Sequence, residues 1–172
     1  MKTKPLIVTG VLLAVVAVLG LYMFGGFNEI EVQKENLGEI SLVGIHYKGT
    51  PQDPKLKSSF EKIESLAEKN PEAFINTIYL IEPAGKLDTM EVFVGIEKKW
   101  AEDLSSFEER NFDASSSIVA NIQAHRFVMP GPKKVQKKIN SFAKENKLEQ
   151  PEIFIDQIIS PNKVRVIGVK NQ

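Results

Sequence analysis

The residues that could do chemistry in this sequence are a few acids on predicted strands. Glu91 and Glu97 fall on one face of a strand, six residues apart, which separates them by about 20 Å, too far to share a proton or a water. Glu91 alone, if buried, would have a raised pKa and could act as a general base or a cation partner. A strand glutamate is more often a solvated surface residue. Asp156 and Asn76 occupy equivalent places in two similar segments, where they either approach each other or cap turns.

Aromatic residues at or near predicted strands could form the walls of a binding pocket. Tyr47, Phe93 and Phe127 are at strand positions, and Trp100, the single tryptophan, lies in a connector. Flat rings with a polar group suit an organic ligand, although filling the core is the commoner role for any one of them. The candidate ligand-binding residues are Tyr47, Glu91, Phe93, Trp100, Phe127 and Asp156.

Several classes of site are excluded by composition. Cysteine is absent, so disulfides, thiolate metal sites and cysteine nucleophiles are ruled out, and His46 and His125 are too far apart in sequence to suggest zinc. Lys plus Arg and Asp plus Glu both number 22, which argues against a nucleic-acid partner. No serine nucleophile motif and no phosphate-binding glycine loop is present. We therefore expect a binding module rather than an enzyme, without metal or cofactor.

Two stretches of the chain are repeated. Residues 62–70 (KIESLAEKN) match residues 138–146 (KINSFAKEN) at five of nine positions, and residues 71–78 match residues 151–158 at five of eight. The same pieces in the same order indicate one supersecondary unit used twice. Two such units are expected to pair about a pseudo-two-fold axis, and the seam between like halves is a frequent place for a small-molecule pocket.

Each repeat unit, 38–97 and 118–170, predicts a strand, a helix and a two-stranded hairpin. Asp53 is a predicted N-cap followed by Pro54, and apolar residues then recur at helical spacing. Pro130-Gly131-Pro132 breaks the corresponding strand of the second unit and precedes its helix. Six strands in one antiparallel sheet, with two helices on one face, give an α+β fold. The connector from residue 98 to 116 is expected to lie across the surface.

The N-terminal segment predicts a transmembrane anchor. Residues 5–28 carry no charged side chain and, as a helix, would cross about 30 Å of hydrocarbon. Lysines precede the segment and glutamates follow it, so the N-terminus is expected in the cytoplasm and the domain outside, in a bacterial inner membrane. The rival interpretation is a cleaved signal peptide. The predicted division is an anchor and exit at 1–28 and an α+β domain at 29–172.

Residues 38–170 resemble the DNA-gyrase-inhibitor-like (GyrI-like) family. The resemblance rests on Tyr47-Lys48-Gly49 before the first helix, Pro130-Gly131-Pro132 before the second, the duplicated units, and a last strand that ends at Val169. It implies a small-molecule-binding domain. That fold is the effector domain of multidrug-sensing transcription activators, and it occurs on a single membrane anchor in an autophagy receptor of the endoplasmic reticulum.

The sequence departs from the cation-binding members of that family at two places. Phe154-Ile155-Asp156 stands where they carry a Glu-x-Tyr pair, and residues 164–168 (VRVIG) stand where they carry an acid and a proline. The expected ligand is therefore apolar or amphipathic. The predicted function is a membrane-tethered, non-enzymatic small-molecule-binding domain. The alternatives are a protein-interaction module at the membrane without ligand, possibly with a membrane-protein partner, and a small hydrolase.

Overall fold

Over the residues that the structure describes, the fold contains three α-helices and eight β-strands. A computed structural model describes the backbone of residues 3–26 and 28–171, and the side chains of residues 8–26 and 28–171. The elements are α1 (Thr3–Met23), β1 (Glu31–Glu35), β2 (Glu39–Gly49), α2 (Pro54–Ala67), β3 (Ile75–Ile81), β4 (Met90–Glu97), β5 (Glu108–Asp113), β6 (Ser117–Gln123), α3 (Pro132–Glu145), β7 (Ile153–Ser160) and β8 (Lys163–Val169).

Helix α1 does not match the transmembrane anchor that the sequence predicted. Its apolar side chains are mostly exposed. Within the described residues, no helix is both long enough and apolar enough to span a membrane. The predicted transmembrane anchor, and with it the single-pass location with an extracytoplasmic domain, is therefore wrong.

Helices α2 and α3 begin where the sequence predicted. Asp53 is extended and its Oδ1 accepts a hydrogen bond from the Lys55 N–H at 2.8 Å, which caps α2. Pro54 and Pro132 occupy the first helical positions of α2 and α3, where the missing N–H costs nothing. Apolar residues at helical spacing then give each helix one buried face.

The two helices lie on the same face of the sheet. Val43 in β2 faces Ile96 in β4, and both pack with Ile63 of α2. Ala120 in β6 faces Val166 in β8 and packs with the buried stripe of α3. The residue pairs between β4, β3, β7 and β8 show that the residues packed under α2 and those packed under α3 lie on the same face of the sheet. The predicted α+β arrangement, with two helices on one face of an antiparallel sheet, is confirmed.

The sheet has eight strands rather than the predicted six. Its order is β1-β6-β8-β7-β3-β4-β2-β5. Strand β5 occupies part of the connector that was predicted to lie across the surface. The two added strands, β1 and β5, form the edges of the sheet. The loop after β1 and the loop after β5 are hydrogen-bonded to each other: Leu37 N–H donates to Ala114 O at 3.0 Å, and Ala114 N–H donates to Gly38 O at 2.7 Å. The face opposite the helices curls around a core that contains Phe93 and Ile155.

The two halves of the sheet share one order of elements. Strand, helix, strand, strand occurs as β2-α2-β3-β4 and as β6-α3-β7-β8. Strands β7 and β3 are adjacent at the centre of the sheet, so the seam between the halves runs between them. The superposition of the two units stays a prediction.

Candidate functional site

The candidate site is the groove between α2 and α3, above the seam of β3 and β7; we call it the central groove. The seam consists of three residue pairs, which join residues 75–77 of β3 to residues 156–158 of β7. Strand β3 continues to Ile81 and β7 begins at Ile153, and among the described residues no further ladder pairs connect the two strands. A cavity of about 470 Å³ lies where the strands separate, but Ile78, Phe112 and Ile153 in its lining belong to the face opposite the helices, and the lining does not include Asp156.

Asp156 lies at the centre of the central groove. It is on the helix-facing side of β7, opposite Thr77 of β3, and it is half-buried. Burial raises the pKa of its carboxyl to about 6, and the negative charge of Glu82 adds to the shift. Both effects disfavour the ionised form. Near neutral pH the carboxyl is therefore ionised in surroundings that make its charge unfavourable.

Tyr79 and Glu82 accompany Asp156 from the other side of the seam. Tyr79 follows Thr77 by two residues and so faces the same way. Burial raises the pKa of its hydroxyl, and the charges of Asp156 and Glu82 raise it further. Glu82 accepts a hydrogen bond from Nε2 of Gln136 in α3 at 3.2 Å. Among the described residues, neither Asp156 nor Glu82 forms an ion pair with a lysine, arginine or histidine.

The floor of the central groove is apolar and partly open. Tyr79 is 37% exposed and Ile158 is 39% exposed, although both lie on the face that the helices cover elsewhere. Phe154 is half-buried beside them. Exposed rings and aliphatic groups next to an unpaired acid can hold an amphipathic molecule, with its apolar part on the floor and its charge at the carboxylate.

The structure does not bring the predicted site residues together. Tyr47 is on the helix face and 6% exposed, and its hydroxyl donates to Thr50 O at 2.9 Å. Phe93 is fully buried on the opposite face. Trp100 packs behind α2, and Phe127 is 74% exposed in the loop before α3. These four aromatic residues therefore cannot wall one concavity. Asp156 is the predicted residue that lies in the central groove.

Glu91 differs from its predicted state. Its carboxylate contacts Nζ of Lys48 and Nε2 of His46, each at 2.9 Å. The hydrogen bond from Lys48 is the largest cause of a lowered pKa, with His46 adding to it and burial opposing it. The raised pKa that burial alone would give Glu91 therefore does not occur, because these two contacts lower its pKa. Asn76 also differs, because it faces away from Asp156 and accepts a hydrogen bond from Nε2 of Gln157 at 3.3 Å.

Sequence reasoning missed Tyr79, Glu82 and Gln136. Tyr79 follows Thr77 in strand alternation, so its face could have been read from the sequence once Thr77 was assigned. Its position beside Asp156 depends on the register across the seam. Glu82 and Gln136 come from different halves of the chain, and no local pattern connects them.

No protein-family model matches the chain, and no curated protein matches it. Among solved structures, a hydrolase from Listeria innocua is similar with a TM-score of 0.59 and 6% identity, over 87% of this chain and 97% of that one. An EcmrR–DNA complex is similar with a TM-score of 0.56 and 8% identity, over 99% and 71%. An integron cassette protein from Vibrio cholerae is similar with a TM-score of 0.50 and 12% identity, over 84% and 97%. Such likenesses show the fold alone, and this fold is consistent with the GyrI-like fold that the sequence resembles.

Proposed function

We propose that this chain is a small-molecule-binding domain, and that its ligand is an amphipathic molecule with one positive charge, held in the central groove. The observation that carries the proposal is Asp156, a half-buried carboxylate whose pKa is raised to about 6 and which has no cationic partner among the described residues. The resemblance to GyrI-like domains supports the same class of function.

The chemistry of the groove favours a cation with an apolar body. A bound positive charge would stabilise the ionised carboxylate of Asp156 and so offset the cost of its burial. The ring of Tyr79 can add a cation–π contact, and Ile158 and Phe154 offer apolar surface. The sequence led us to expect an apolar or amphipathic ligand rather than a cationic one, so the positive charge proposed here departs from that expectation. The acid that pairs with it is Asp156 rather than a residue at the family's usual positions.

The proposal is tested with tetraphenylphosphonium and tetraphenylborate, which share shape and apolarity but carry opposite charges. We expect the full chain to bind the phosphonium more tightly in calorimetry, and Asp156→Asn to weaken that binding about tenfold or more, because a desolvated ion pair is lost. Glu145→Gln is the control. It removes one negative charge about 13 Å along α3 from Gln136 and should leave binding unchanged. Equal binding of both ions, or unchanged phosphonium binding by Asp156→Asn, would refute the proposal.

A second candidate function is hydrolysis of a small molecule in the same groove. Asp156, with a pKa of about 6 and Tyr79 nearby, has the proton affinity of a general base near neutral pH. A solved structure that resembles this chain is described as a hydrolase. Turnover of a small ester that rises through pH 6 in the wild-type chain, and is lost in Asp156→Asn, would favour this function over simple binding.

A further inference from the structure

A second cavity lies on the other flank of α3, away from the central groove. It has a volume of about 340 Å³ and opens between the segment that follows α1 and the first turns of α3. Lys134 and Lys138 border it, whereas Gln136 points toward Glu82 and the central groove. At about 100° per residue these lysines lie roughly 160° and 200° around α3 from Gln136. This cavity and the central groove are therefore separate sites.

Glycines allow the chain to form one wall of this cavity. Gly25 has a φ of 74°, and a Cβ there would meet Nδ2 of Asn28 at 2.7 Å. A Cβ on Gly26 would meet the Leu21 carbonyl oxygen at 3.0 Å. The segment is tied to the body of the protein, because Nδ2 of Asn28 donates to Gln123 O at 2.8 Å. Side chains at these two positions would disturb this attachment and close the space.

The lining combines aliphatic surface with positive charge. Ile30, Ile122 and Val128 contribute apolar walls. Lys134 and Lys138 are one helical turn apart, and neither forms an ion pair with any residue that the structure describes. The helix dipole adds positive potential at the start of α3. Glu29 also borders the cavity and offsets one of the two positive charges.

We propose that this cavity binds an amphipathic anion, specifically a medium-chain alkyl carboxylate. The carboxylate accepts hydrogen bonds from the ammonium groups of Lys134 and Lys138, and the alkyl chain lies against the aliphatic wall. Lys134, Lys138 and Glu29 together give the lining a net charge of one positive unit, which a ligand with a single negative charge would neutralise. The volume falls at the small end of the range for ligand sites, roughly 300–1,000 Å³.

The test uses the full chain, decanoate below its micellar concentration, and calorimetry. The double variant Lys134→Gln/Lys138→Gln should weaken decanoate binding about tenfold, because it removes two partly exposed charge pairs. The control Lys133→Gln/Lys137→Gln removes the same charge from the same helix on another flank, and should change affinity by less than about twofold. Glu29→Gln should tighten binding, since it removes a like charge.

Three outcomes would overturn this proposal. Equal weakening by the two double variants would show only a general attraction to a basic helix. Equal binding of the neutral 1-decanol would show that the lysines do not recognise the head group. Weaker decanoate binding by Asp156→Asn would place the ligand in the central groove. Failure of phosphonium binding, by contrast, would leave the decanoate result intact.

Discussion

Asp156 and Glu91 are both strand acids, and their surroundings shift their pKa values in opposite directions. Asp156 faces an apolar floor and another acid, Glu82, and its pKa is raised to about 6. Glu91 faces Lys48 and His46, and its pKa is lowered. The charge of Glu91 is compensated by its ion pairs within the protein, whereas Asp156 has no ion-pair partner among the residues that the structure describes.

Asp156→Asn is expected to stabilise the protein near neutral pH. Because the folded pKa is raised above the ordinary value of 3.8, ionisation costs folding nothing below about pH 4, a growing amount between pH 4 and 6, and the full amount above pH 6. After a discount for solvent access, we expect a gain of about 1–2 kcal/mol at pH 7 and almost none at pH 4. Urea unfolding at both pH values measures this. A loss of stability that is the same at both would contradict it.

Phosphonium affinity is expected to depend on the ionisation of Asp156. With a pKa of about 6, the carboxylate fraction rises about tenfold between pH 5 and pH 7, and the affinity of the wild-type chain should rise by about the same factor. Calorimetric titrations at pH 5, 6 and 7 provide the measurement. The dependence should disappear in Asp156→Asn; if it persists there, another group controls binding.

The buried stripes of α2 and α3 hold the helices to the sheet. Ile63 and Ile139 are fully buried at equivalent positions of the two units. We expect Ile63→Ala and Ile139→Ala each to lower the free energy of unfolding by about 2–5 kcal/mol, since each leaves a cavity in a packed layer. Lys137→Ala, on the exposed side of α3, should change it by less than about 0.5 kcal/mol. A cost below about 1 kcal/mol for Ile139→Ala would show that its stripe does not face the core.

The two halves should unfold together, because one continuous ladder runs from β1 to β5 and passes through the seam. Trp100 packs in the first half of the sheet and gives a fluorescence signal from it, while Ile139 is in the second half. Ile139→Ala should therefore shift the midpoint seen by Trp100 fluorescence as far as the midpoint seen by circular dichroism. Two separate midpoints would show that the halves are independent.

The duplicated architecture also makes a prediction for the whole molecule. The order of elements repeats, and the helices of residues 38–97 and 118–170 should superpose with Ile63 over Ile139. The residue-by-residue superposition of the strands that the sequence suggests, with Phe74 over Phe154, does not agree with the ladder: Thr77 pairs with Asp156, so Asn76 and its sequence equivalent Asp156 lie on opposite faces. A crystal structure of the full chain would test the predicted helix superposition. Helices α2 and α3 that fail to overlay when the two units are superposed, with Ile63 and Ile139 apart, would contradict it.

The sequence by itself determined the elements whose signals are local. Asp53 and Pro54 set the start of α2, apolar residues at helical spacing set the buried faces of both helices, and alternation together with turn residues set the hairpins of β3 with β4 and of β7 with β8. These signals depend on residues close together in the chain, so the α+β class and the shared helix face were predictable.

Only the tertiary structure decided the rest, because burial and electrostatics depend on neighbours that are distant in sequence. Strands β1 and β5 are edge strands with mostly polar residues, so they lack the apolar alternation by which strands are recognised. The site needs Thr77 and Asp156 to pair across 79 residues of chain, and this pairing places Tyr79 and Glu82 around the acid. Glu91 was chosen for its residue type, yet the neighbouring Lys48 and His46 decide its charge state. Residue type suggested the candidate residues, but only the fold shows that Asp156 lies beside Tyr79 and Glu82 without a cationic neighbour among the described residues.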